Sequence, residues 1–119
     1  MEIKHRVWLE KDGRVIFGKG RDELLRAIDE CHSLYAAVKK LNISYRGAWA
    51  RLKASEERLN MKLVEVLPRG RRGMHLTAEG QALLVEYERL EKHVDAILKR
   101  AHRRFDSLMA HLSNPNDAH

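Results

Sequence analysis

Only Asn42, Ile43 and Ser44 separate two stretches whose apolar residues recur at helical spacing. Upstream, Leu34, Ala37, Val38 and Leu41 form one stripe over about residues 34–41, with Ser33 placed to cap the first turn. Downstream, Ser44 is placed to cap a helix reaching about Leu59, with Tyr45, Ala48, Trp49, Leu52 and Leu59 as its expected inward stripe. Two helices joined by so short a turn meet at a steep angle, which is the helix-turn-helix arrangement over about residues 34–59.

The flanking segments complete a small domain. Residues 3–17 place β-branched and aromatic residues on both sides of "KDG" and predict a β-hairpin. Gly18 and Gly20 end it, and "RDELLRAIDECHSL" opens with an acidic turn and spaces Leu24, Leu25, Ile28 and Cys31 as a first helix. After the third helix, "MKLVEV", the loop "PRGRRGM" and "HL" predict a second hairpin, a wing, over about residues 62–76. Thr77 then caps a helix running to about Leu112, some 54 Å long at ~1.5 Å per residue. Its apolar residues Leu83, Tyr87, Leu90, Val94, Ile97 and Ala101 alternate steps of four and three, and Phe105, Leu108 and Leu112 resume the seam after one extra residue. A seam of this kind needs another helix. Packing back along its own domain is the alternative, but a core this small is outrun by so long a helix. The expected fold class is mainly α with β-hairpins (α+β). It comprises a winged helix-turn-helix over residues 1–76, a dimerisation helix over 77–112, and a disordered polar tail, "SNPNDAH", over 113–119.

Composition narrows the functional classes. At 119 residues, 44% of them hydrophobic and 34% charged, the chain suits one soluble helix-rich domain. Its net charge of +6 and pI of about 9.7 point to a polyanionic partner, though composition alone fits a membrane-surface or acidic-protein binder as well. The single cysteine, Cys31, reads as a small core residue and, with no second thiol, as a sign of a reducing, cytoplasmic setting. No apolar run is long enough for a membrane span, and the N-terminus lacks the apolar centre of a secretory signal. His93, His102 and His111 stand nine residues apart, the wrong interval for paired helical ligands, so no metal is expected. The glycines of "RGRRG" and "KGRDE" lack the context of a phosphate-cradling loop, and no nucleophile–base or carboxylate pair stands out. Neither an enzyme nor a cofactor is expected.

The basic residues fall where a duplex would meet them. If Tyr45, Ala48, Trp49 and Leu52 point inward, Arg46, Gly47, Ala50, Arg51, Lys53 and Ala54 turn outward. The arginines suit guanine edges or phosphates, the small residues admit the backbone to a groove, and the Ser44 and Tyr45 hydroxyls sit beside the helix's free amides. An ordinary solvated face is the competing reading. In the wing, Arg69, Arg71 and Arg72 can lie along a phosphate strand or enter a minor groove, or simply form a charged tip that resists aggregation. A two-fold dimer through Leu83, Tyr87, Leu90, Val94, Ile97, Ala101, Phe105 and Leu108 would present two such helices to major grooves about 34 Å apart.

Residues 24–90, with "LLRAIDE", "AAVKKLNISYRGAW" and "LTAEG" as the distinctive runs, resemble the N-terminal DNA-binding domain of the molybdate-responsive regulator family (ModE), itself similar to LysR-type winged helix-turn-helix domains. Residues 3–18 are similar to the extra N-terminal hairpin of compact, single-domain members. The resemblance implies a homodimeric transcription regulator that binds operator DNA through the helix starting at Ser44 and the wing near Arg71. The family's recognition pattern falls on Ser44, Tyr45 and Arg46. Two departures matter: "RGRRG" is shorter and richer in arginine than the family's glycine-rich wing, and the expectation is a single-domain member without the C-terminal oxyanion-binding domain. Molybdate binding is therefore not an expectation. The leading expectation is a cytoplasmic, homodimeric, sequence-specific binder of double-stranded DNA. A protein-interaction or co-regulator module and a nonspecific architectural DNA binder are the alternatives.

Overall fold

Asp12 and Gly13 both adopt positive φ, 52° and 78°, the backbone of a two-residue turn whose twist matches antiparallel strands. They join β1 (Leu9–Lys11) to β2 (Arg14–Phe17), with Lys11 opposite Arg14. The hairpin is thus shorter than the expected 3–17, because residues 3–8 pair with no strand. The computed structural model describes residues 1–67 and 73–114. They divide into two compact units, one of Val7–Glu88 and one that joins Met1–Arg6 to the chain from Arg89 onward.

In the first unit, α1 (Lys19–Cys31), α2 (Leu34–Leu41) and α3 (Tyr45–Leu59) each end on a left-handed residue, His32, Asn42 and Asn60. Asparagine tolerates that conformation better than most side chains, and the reversal returns amides to the last carbonyls. Ile43 N–H donates to the Val38 carbonyl at 3.0 Å and Met61 N–H to that of Glu56 at 3.1 Å. Ser33 and Ser44 cap α2 and α3 as expected, accepting from the Ala36 and Gly47 amides at 3.1 and 3.2 Å.

The wing pairs β3 (Val64–Val66) with β4 (Met74–Leu76), Val64 opposite Leu76. Its base is anchored on α1, where Met74 N–H donates to the left-handed cap residue's carbonyl, His32 O, at 2.8 Å. Gly73 permits this approach: its φ is 139°, and a Cβ there would lie 2.6 Å from the same oxygen. α4 (Ala78–Ser113) opens on Thr77, whose Oγ1 accepts from Gly80 N–H at 3.0 Å and donates to Lys62 O at 2.7 Å. Gly80 packs so closely under β3 that a Cβ would stand 2.2 Å from Leu63 O. "LTAEG" is therefore a cap followed by a backbone contact.

Phe17, Leu24, Leu25, Ile28, Ala37, Val38, Ala48, Leu52, Leu63, Leu84 and Tyr87 form the core of this unit. Tyr87 meets Phe17 edge to face at 5.0 Å and donates its hydroxyl to Val7 O at 2.7 Å. Being only 2% exposed, Tyr87 is committed to its own core, which corrects its expected place on the dimer seam. Cys31 is half-buried at the edge of α1.

α3 brings a larger correction. Tyr45 and Trp49, expected inward, are 51% and 38% exposed, and the buried side is Ala48, Leu52, Ser55 and Glu56. The two polar residues are inside because they have partners there: Ser55 Oγ donates to Ile16 O at 2.6 Å, and Glu56 accepts from the Leu63 and Val64 amides at 2.8 and 3.3 Å. α3 is thereby fastened to β2 at one place and to β3 at another, and the aromatic pair is left outside.

In the second unit, the segment before Val7 reaches α4 through an ion pair of the Met1 amino group with Asp106 at 3.5 Å and through His5, whose Nε2 lies 3.9 Å from Asp95.

Candidate nucleic-acid interface

α3 is held at both ends and along its buried side, so its outer face is rigidly presented. Ser44 fixes the first turn, and Glu56 and Ser55 fix the last two. Ala48 is fully buried, and its small side chain lets the helix lie close on the core. At 100° per residue, Arg46, Trp49, Ala50 and Lys53 share the outer face. Lys53 Nζ stands 4.4 Å above the Trp49 ring and 3.1 Å from Glu56 Oε1. A cation over an indole face is attracted by the ring quadrupole, which orders a side chain that would otherwise sweep solvent.

Glu56 carries the electrostatics of this anchor. Burial pushes its carboxyl up, but the Leu63 amide, the Lys53 ammonium and the Val64 amide outweigh that and hold it below the ordinary carboxylate range. It is an anion made stable by two backbone donors and one cation.

A second set of cations flanks α3. Arg21 Nε donates to Ser55 Oγ at 2.5 Å, and Arg58 donates to Val15 O. Burial lowers the affinity of the Arg21 guanidinium for its proton, and the neighbouring charges of Arg58 and Arg51 lower it further. Three guanidinium groups on one flank raise the local positive potential, which is what a phosphate strand requires.

Ser44, Tyr45, Arg46, Ala50 and Arg51 are exposed, while Gly47 and Lys53 are half-buried. Arg46, Ala50 and Lys53 lie together with Trp49. Arg51 is on the flank, its guanidinium 3.8 Å from where a Gly20 Cβ would stand. Arg69, Arg71 and Arg72 lie outside the described residues. Along α4, Leu83, Leu90, Val94 and Ala101 are half-buried, and Ile97, Phe105 and Leu108 are exposed. Residue types assign Trp49 to the core, and it is instead exposed beside Lys53; they give Arg21 no place, and it is bonded to Ser55. The lysine at i+4 from Trp49 was a usable signal for the first; for Arg21 nothing local pointed to Ser55, which is far away in sequence.

Among the described residues, no group of three or more His, Cys, Asp or Glu is placed to hold a metal, and no helix is long and apolar enough to cross a membrane.

Residues 23–81 match the family described as "Bacterial regulatory helix-turn-helix protein, lysR family". The molybdenum-pterin-binding protein MopB of Rhodobacter capsulatus is 33% identical over 94 residues, which span 77% of this chain and 34% of MopB. The chain therefore corresponds to about a third of that relative's length. Among solved structures, the CbnR DNA-binding domain in complex with DNA superposes with a TM-score of 0.58 at 27% identity, covering 71% of this chain and 94% of that one. The BenM DNA-binding domain bound to benA site 1 DNA gives 0.56 at 26% identity, again over 71% of this chain and 94% of the other. CbnR itself, a LysR family transcriptional regulator, gives 0.55 at 28% identity, over 70% of this chain and 28% of CbnR.

Proposed function

Because residues 23–81 belong to the LysR family of bacterial regulatory helix-turn-helix domains, we propose that the chain is a cytoplasmic transcription regulator that binds double-stranded DNA sequence-specifically as a homodimer. The supporting observation is the outer face of α3. Arg46, Trp49, Ala50 and Lys53 take no part in packing the core, yet the helix beneath them is fixed at both ends. Arg46 is suited to a bidentate contact with a guanine edge. Ala50 permits close approach, and the Trp49 ring offers an apolar surface to a thymine methyl. Ser44 and Tyr45 hydroxyls and the flanking Arg51 supply phosphate contacts that position the helix without reading sequence. From their place in the sequence, Arg69, Arg71 and Arg72 are assigned further phosphate contacts.

The homodimer rests on Leu83, Leu90, Val94, Ile97, Ala101, Phe105 and Leu108, of which Leu83 also packs against the core of its own unit. Ile97, Phe105 and Leu108 expose large apolar surface along one α4 face, which a second copy of the helix would cover. The binding stated in MopB's name is not carried over, since the match covers 34% of that protein.

Sedimentation and fluorescence anisotropy test the reading together. The protein should sediment as a dimer that Ile97→Glu/Phe105→Glu turns into monomer, and should bind one duplex well above a scrambled duplex at about 150 mM salt, where such differences reach 10³-fold or more. Equal affinity for both duplexes would favour a nonspecific architectural role. Dimerisation without any DNA affinity would favour a protein-interaction module.

A further inference from the structure

α4 carries a second cationic surface, away from the apolar seam. Lys92, Lys99, Arg100, Arg103 and Arg104 fall within 140° of one another around the helix at 100° per residue, and Ser107 shares a shallow groove with the three arginines. All six are exposed. Their unpaired state has a structural cause. Asp95 and Asp106 stand four residues before Lys99 and three after Arg103, within helical reach of each. They are turned elsewhere, however: Asp95 to His5 at 3.9 Å, and Asp106 to the Met1 amino group at 3.5 Å and to His102 at 3.3 Å. Among the described residues, none of the five cations makes an ion pair. Like charges three and four residues apart repel on a helix, so the strip costs stability that a bound polyanion would return. Nor does the helix dipole account for it: the dipole favours cations in the last turn, and α4 runs on to Ser113.

We propose that Lys92, Lys99, Arg100, Arg103 and Arg104 are a second, sequence-independent contact strip for the phosphate backbone of duplex DNA. The inference rests on the DNA-binding reading of α3 and extends it to a surface that reading does not use. The chemistry fits the ligand. Three of the five are arginines, whose planar fork pairs bidentately with phosphate, and the Ser107 hydroxyl beside them is a neutral donor of the kind that accompanies phosphate contacts. From Lys92 to Arg104 the strip is about 18 Å long at ~1.5 Å per residue, the rise of roughly five nucleotides at ~3.4 Å per strand.

The test compares the full chain with Arg100→Ala/Arg103→Ala/Arg104→Ala. Alanine favours helix, so circular dichroism and sedimentation should be unchanged. Anisotropy titrations from about 50 to 200 mM salt, on a selected site and on a scrambled duplex, read the number of phosphates engaged. The triple variant should weaken both duplexes by the same factor and lower the slope of log K against log salt by about 2.7 per engaged protomer, at ~0.9 per lost contact. Arg46→Ala, run beside it, should instead lower the ratio between the two duplexes. An unchanged slope in the triple variant, with Arg46→Ala still abolishing discrimination, overturns the strip and leaves the α3 reading standing. No DNA binding by the wild type overturns both. Binding to phosphatidylserine vesicles that the triple variant loses, with its DNA slope intact, reassigns the strip to a lipid surface.

Discussion

Replacing Glu56 by alanine removes the acceptor of two buried amides at once. Glu56 is 7% exposed and takes the Leu63 N–H at 2.8 Å, the Val64 N–H at 3.3 Å and the Lys53 ammonium at 3.1 Å. A buried donor left without a partner costs about 1–3 kcal/mol. Because the Val64 bond is long and the Lys53 pair reaches solvent, the alanine variant should lose about 3 kcal/mol, most of it from the Leu63 amide. Glu56→Gln keeps a carbonyl oxygen for the Leu63 and Val64 amides but gives up the charge assistance and turns an NH2 towards the partly exposed Lys53 ammonium, so it should lose about 1 kcal/mol. The pH dependence follows from the direction of the shift. Burial alone would raise the Glu56 carboxyl, but the donors hold it below its ordinary value of 4.5. A group depressed in the folded state contributes fully above its unfolded value and loses that contribution as pH falls through its folded value. The gap between wild type and Glu56→Gln should therefore be constant above about pH 5.5 and close below about 4.5. Urea unfolding at one fixed protein concentration, since a dimer's stability depends on it, measures both. An alanine variant within about 0.5 kcal/mol of wild type, or a gap that widens in acid, would mean that Glu56 does not anchor the two amides.

Two further substitutions separate folding from binding. Gly80→Ala forces a Cβ to within 2.2 Å of Leu63 O, so α4 must shift off β3, at a cost of about 2–4 kcal/mol; an unchanged thermal melting temperature would contradict the close approach. Trp49→Ala, at an exposed position, should leave melting within the roughly 0.5 kcal/mol typical of surface changes. It should weaken the selected duplex by about tenfold, and a folding defect in place of a binding defect would put the ring back in the core.

The elements themselves were legible because each carries its own punctuation. "KDG" supplies the positive-φ turn, Ser33, Ser44 and Thr77 are caps, and all three caps hold their helices as expected. The facing of α3 was not legible. Periodicity places aromatic residues inward and polar ones outward, whereas Ser55 and Glu56 are buried because Ile16 O and the Leu63 and Val64 amides await them. Those partners are distant in sequence, so no local pattern announces them. Tyr87 failed for the opposite reason. It fits the α4 seam by spacing, but Phe17 and the Val7 carbonyl claim it for the core. At the candidate interface, residue types place Arg46, Ala50 and Lys53 outward, as they stand on α3, whereas Trp49 was expected in the core and only the three-dimensional arrangement puts it beside them, with Arg21 on the flank.

A helix whose outer face reads base sequence selects its site from a mixture of duplexes. Incubating the protein with a pool of random duplexes at about 150 mM salt, recovering and sequencing what it retains, and repeating this with Arg46→Ala tests it most directly. The wild type should enrich a two-fold symmetric site with half-sites about one helical turn apart, and Arg46→Ala should lose preference at one base pair in each half-site, worth roughly 1–3 kcal/mol. Retention without enrichment by the wild type, or an Arg46→Ala profile identical to that of the wild type, would contradict it.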